Sequence, residues 1–107
     1  MTTRNILIMP GDGIGPEVMA EVERLISWFN TSGTTRFETT RDLVGGASYD
    51  VHGTPVTEAA MHKALAADAV LFGAVGGPKW ASVAYDKRPE AALLRLRKEL
   101  GLFANLR

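Results

Sequence analysis

The chain contains no cysteine in its 107 residues. That excludes a disulfide framework and any thiolate metal centre, and it fits a reducing compartment. An excess of charge of one sign is also missing: 12 Lys and Arg stand against 12 Asp and Glu, a formal net charge of zero. A nucleic-acid-binding module would carry a basic excess, so no nucleic-acid partner is expected. No apolar run approaches the roughly 20 residues that a spanning helix needs. The opening MTTRNILIMPGDG holds an apolar run from Ile6 to Met9, too short for a signal peptide. The expected setting is therefore cytoplasmic, with no membrane partner. His52 and His62 lack partners at metal-ligand spacing, and Asp12, Asp42, Asp50, Asp68 and Asp86 are scattered rather than clustered. No Ser or Cys stands where a base would activate it as a nucleophile.

What is present reads as alternating strands and helices. Asn5 to Met9 is an unbroken apolar stretch, the pattern of a parallel strand covered on both faces. Pro10 to Gly13 ends it, and Pro16 suits the first turn of a helix, where its missing N–H has no partner anyway. Val18, Val22, Leu25, Ile26 and Phe29 recur at helical spacing and predict one buried face. Arg36 to Val44 alternates imperfectly and is expected to be a strand. A helical turn is expected at Ala47 to Val51. Thr57 is an N-cap signal for a helix through Ala67, with Met61 and Leu65 inward. Asp68 to Phe72 predicts another buried strand, and Glu90 to Leu100 a last helix, closed by Gly101. Leu102 to Leu106 is apolar enough to begin one more strand. The order β-α-β-α-β-loop-α-β predicts an α/β layered fold, in which a sheet this small is left with open edges.

Two glycine-rich loops follow strands. GDGIG at Gly11 to Gly15 opens a helix, a place that favours anions. The dinucleotide fingerprint, however, needs Gly-x-Gly-x-x-Gly, and Pro16 occupies the last glycine's place and removes an N–H. Asp12 would repel a phosphate, so a tight strand-to-helix turn fits better. GAVGGPKW at Gly73 to Trp80 follows a buried strand, at the carboxyl edge where ligands of open α/β sheets gather. Its glycines allow close approach, Lys79 offers a cation and Trp80 a flat face. The last signal is RPEAALLRLRKELGLFANLR. Arg97 and Arg107 offer planar donor forks suited to carboxylates, beside the apolar pair Leu93 and Leu94 and the carboxylate of Glu90. Glu90, Leu93 and Arg97 can share one helical face, while Arg95 and Lys98 point elsewhere and are expected to be solvated. The set suits a small dianion with an apolar branch.

Taken in order, PGDGIGPEV, GGASYD, LFGAVGGPKW, RPEAALLRLRK and LFANLR closely resemble the isopropylmalate branch of the isocitrate/isopropylmalate dehydrogenase family, the β-decarboxylating dehydrogenases. The resemblance covers essentially the whole chain but only the N-terminal third or so of such an enzyme. It implies an incomplete N-terminal part of a layered α/β/α fold, with residues 1–101 belonging to the first, cofactor-side domain and 102–107 starting the strand into the second. It implies an NAD-dependent oxidative decarboxylase that turns 3-isopropylmalate into 2-oxoisocaproate in leucine biosynthesis, active as a full-length homodimer and inactive as this chain alone. Arg97 and Arg107 match arginines that grip the substrate's carboxylates. Glu90, Leu93 and Leu94 match residues near its γ-substituent. Ile14, the loop with Gly77, Pro78, Lys79 and Trp80, and Glu90 match cofactor contacts. The proton-relaying Tyr and Lys and the aspartates that hold Mg2+ or Mn2+ would lie beyond this segment. Tartrate or D-malate is the alternative substrate within the family; isocitrate ranks low because Glu90 would repel a third carboxylate. A non-catalytic α/β fragment is the alternative outside it.

Overall fold

The computed structural model describes residues 2–107. Three parallel strands form one sheet in the order β2-β1-β3: β1 (Thr2–Gly11), β2 (Thr35–Arg41) and β3 (Ala69–Ala74). Ile6 of β1 lies opposite Thr39 of β2 and Ala69 of β3, so the central strand is paired on both sides. The strongest apolar run in the sequence has become the middle of the sheet. Its alternate side chains serve opposite faces. Ile6 and Ile8 pack with Met19 and Ile26 of α1 (Gly15–Ser32), whereas Leu7 and Met9 pack with Ala60, Met61 and Ala64 of α3 (Glu58–Ala66) and Ala92 and Leu96 of α4 (Pro89–Glu99). A short helix, α2 (Gly46–His52), lies between β2 and α3. Helices thus cover both faces, the layered α/β/α arrangement expected from the sequence, and both outer strands have an open edge among the described residues. None of the described helices is long and apolar enough to cross a membrane.

Local signals explain most boundaries. The Thr57 hydroxyl accepts the Ala60 N–H at 3.0 Å, the cap anticipated for α3. Gly101 (φ +67°) donates to the Lys98 carbonyl and Leu102 to the Arg97 carbonyl, closing α4 with a left-handed residue that satisfies two terminal carbonyls.

Three expectations change. The buried face of α1 is Gly15, Met19 and Ile26 with Val22 half-buried, while Val18, Leu25 and Phe29 are exposed. The helix is apolar on two sides, and the sheet takes the side bearing the slim Gly15, whose Cα allows close approach to the carbonyl of Pro10. On α3, Leu65 is exposed and Ala60 and Ala64 are buried with Met61, because small side chains let the helix lie close to the sheet. Residues 102–107 form neither helix nor strand and are exposed throughout, since no described strand lies beside them to pair with.

Candidate functional site

β1 lies between β2 and β3, and the chain leaves it through α1 on one face of the sheet; after β3 it continues to α4 on the other face. Where neighbouring strands send their connections to opposite faces, a crevice opens at their carboxyl ends, the usual ligand position in open α/β sheets. Both glycine-rich loops meet there. The backbone N–H of Asp12 donates to the Ala74 carbonyl at 2.7 Å, which ties the two loops at their roots.

Asp12 itself is buried, and its carboxylate accepts three backbone N–H groups: Gly46 and Gly76 on Oδ2 at 2.7 and 3.0 Å, and Ala47 on Oδ1 at 2.7 Å. Gly46 and Ala47 open α2, whose N-cap, Gly45, has no side chain to do this work. Asp12 therefore caps a helix 34 residues further along the chain. Sequence reasoning took Asp12 as an obstacle to phosphate binding and missed this role. The GDGIG segment is accordingly a tight turn whose acid faces inward to the protein's own amides.

The second loop is pinned along its length. Gly76 takes a positive φ of +107°, and a Cβ there would come within 2.5 Å of the Glu90 Oε1, so this carboxylate lies directly over the Gly76 backbone. Trp80 presses its ring on Gly46, where a Cβ would sit 2.1 Å from the ring, and its indole N–H donates to Asp50 at 3.1 Å. Lys79 pairs with the other oxygen of Asp50 at 2.7 Å. These two bonds, Lys79 first, hold the Asp50 carboxyl below its ordinary pKa. Both side chains proposed for the cofactor thus have a partner inside the chain. Gly77 and Pro78 are exposed beside them, and Ile14, at the start of α1, is 63% exposed.

On α4, Glu90 is exposed, Leu93 partly buried and Leu94 half-exposed. Their spacing places Glu90, Leu93 and Arg97 along one face, as expected. The two arginines nearest the end of the helix differ. Arg95, expected to be solvated, binds Glu58 of α3 at 2.6 Å and Glu99 of its own helix, and these bonds raise its pKa. Arg97 is partly buried and makes no ion pair or side-chain hydrogen bond among the described residues. Arg107 lies at the end of the exposed tail, where nothing among the described residues fixes its side chain. The chain alone therefore brings Glu90, Leu93 and Arg97 together but does not assemble Arg97 and Arg107 into one cleft. Two shallow depressions, of about 250 and 320 Å³, lie elsewhere, beside Lys63 and Thr34, and a third of about 280 Å³ lies at the carboxyl ends of β1 and β2, between Pro10 and Asp42. No group of three or more His, Asp or Glu is arranged to hold a metal among the described residues.

A parallel sheet with helices on both faces, its two glycine-rich loops meeting at the carboxyl ends of β1 and β3, defines an α/β layered unit. Comparison with known proteins makes this more specific. Residues 5–107 match the isocitrate/isopropylmalate dehydrogenase family model, and the chain belongs to that family. It is 64% identical over its full length to 3-isopropylmalate dehydrogenase 2 of Bradyrhizobium diazoefficiens and 66% identical to 3-isopropylmalate dehydrogenase of Nitrobacter winogradskyi. It spans 29% of the length of each of these relatives. Among solved structures, it resembles a β-decarboxylating dehydrogenase of Thermococcus kodakarensis (TM-score 0.68, 35% identity) and isocitrate dehydrogenase of Methylococcus capsulatus (TM-score 0.70, 26% identity), over 94% of this chain and 27% of theirs.

Proposed function

We propose that this chain is the N-terminal part of an NAD-dependent 3-isopropylmalate dehydrogenase, a cytoplasmic homodimer that oxidatively decarboxylates its substrate in leucine biosynthesis. The observation that carries this reading is identity of 64–66% to 3-isopropylmalate dehydrogenases across the entire chain. The unpaired, partly buried Arg97 supports it. The Arg97 guanidinium has no partner among the described residues and is free to receive an anion, whereas Arg95, two residues earlier on the same helix, is already paired to Glu58 and Glu99. Leu93 and Leu94 beside it supply the apolar contact that an isopropyl branch needs.

In this reading Arg97 receives one substrate carboxylate, and Arg107 joins it once residues 102–107 lead into the strand entering the second domain. Each charge-assisted bond contributes roughly 1.5–3 kcal/mol. Leu93 and Leu94 discriminate the branch by about 1–3 kcal/mol per methylene. Ile14, Gly77, Pro78 and Glu90 lie at the crevice edge, with Lys79 and Trp80 shaping the same loop, and NAD would take up the substrate's hydride there. In this reading the aspartates that would hold Mg2+ or Mn2+ belong to sequence beyond residue 107.

The test is a substrate panel with the full-length protein. Turnover of 3-isopropylmalate with NAD, well above malate, tartrate and isocitrate, is expected. A preference for malate or tartrate would move the protein to the alternative branch of the family.

A further inference from the structure

We propose that Asp12 is a positioning residue for the cofactor loop: its carboxylate sets the path of Gly76 to Trp80 and, through it, the place of Glu90. This rests on the functional reading above only in taking that loop as the NAD-facing one. Asp12 holds one end of the loop directly and supports the other through α2. It binds the Gly76 N–H directly, and it binds the Gly46 N–H beneath the Trp80 ring. Gly76 in turn is the floor on which the Glu90 carboxylate rests. At the end of the paired strands β1 and β3, three amides from two distant segments, residues 46–47 and 76, converge on one buried anion. Lys79 and Trp80 complete the closure by binding Asp50 of α2, so the loop is fastened to a helix that Asp12 itself caps.

The arrangement needs a carboxylate, not just a polar side chain of the same shape. Both oxygens of Asp12 are engaged as acceptors, so either orientation of an asparagine amide turns an N–H against a backbone N–H. Asp12→Asn in the full-length protein therefore keeps volume and weakens the clamp, setting an amide N–H against the Ala47 N–H or against those of Gly46 and Gly76. Two readouts need no turnover. Hydrogen exchange should accelerate about tenfold or more at residues 45–48 and 75–77, with distant segments unchanged. NAD affinity, by titration calorimetry, should fall about tenfold. In steady state, KM for NAD should rise by a similar factor, while KM for 3-isopropylmalate stays within about twofold. A residue that served stability alone would lower Tm and leave the two KM values in step.

Unchanged exchange at both segments would overturn the clamp. Faster exchange with unchanged NAD affinity would overturn the positioning role. A wild-type protein that binds NAD but does not turn over 3-isopropylmalate would sink the substrate reading and leave this one standing. If Asp12→Asn does not fold, Ala47→Pro decides. It lies in the first turn of α2, where proline is tolerated, and removes one of the three donors while leaving the acid in place. The same pattern at smaller amplitude is expected from it, and no change in exchange or NAD affinity would count against the proposal.

Discussion

The crevice loops and the arginine end of α4 are built in opposite ways. Around Asp12 the side chains of Asp12, Asp50, Lys79 and Trp80 have their partners inside the chain: acid to amides, indole to Asp50, ammonium to Asp50. Around Arg97 no described side chain offers it a charge, and the tail that carries Arg107 is exposed throughout. A self-satisfied cluster holds a shape, whereas an unsatisfied one holds a place for something else. The contrast separates residues that form the frame of a site from residues that face its ligand.

The largest expected effect breaks the frame. Asp12→Ala leaves three buried or partly buried amides without an acceptor, each costing about 1–3 kcal/mol. Urea unfolding of the full-length protein should show a loss of several kcal/mol, larger than that of replacing either Arg95 or Arg97 on α4. A loss under about 1 kcal/mol would mean that water replaces the carboxylate and that the frame is looser than its geometry suggests.

The next effect falls on the ligand side. Arg97→Ala should lower kcat/KM for 3-isopropylmalate by a factor equivalent to about 1.5–3 kcal/mol, with little change in Tm. Arg95→Ala should do the reverse. Its two ion pairs are partly exposed, so screening limits the loss to about 1 kcal/mol or less, visible in Tm, and kcat/KM should hold. If the two variants exchange these phenotypes, the assignment of frame and ligand residues on α4 is inverted.

Much of this was legible in the sequence, and the parts that were not have a common cause. The strand at Ile6 to Met9, the Thr57 cap and the Gly101 terminus depend on neighbours within a few residues, and periodicity or side-chain chemistry reports them. The face of α1 was misread because that helix has two apolar sides, and the choice between them depends on how closely Gly15 can approach β1. A helical projection puts Arg95 and Arg97 on different faces, but that Arg95 is paired rather than solvated depends in part on Glu58, 37 residues away. Asp12 is the extreme case. Its partners lie 34, 35 and 64 residues along the chain, and nothing local marks it as a cap for α2.

The smallest expected effect probes where the frame meets water. Lys79 and Trp80 both bind Asp50, and these bonds lower its pKa from the ordinary carboxylate value. A group whose pKa is depressed by folding contributes its stabilisation above the unfolded value and loses it as pH falls through the folded one. The contribution is therefore full at neutral pH and disappears only in the acid range, below the ordinary aspartate pKa. Lys79→Met removes the first of the two causes, so the variant should differ from wild type in Tm at pH 7 and converge with it under acid conditions. Because Asp50 and Lys79 are both well exposed, salt should shrink the difference at pH 7. A difference that grew on acidification, or that ignored salt, would show that Lys79 acts through its packing over the Trp80 ring rather than through its charge on Asp50.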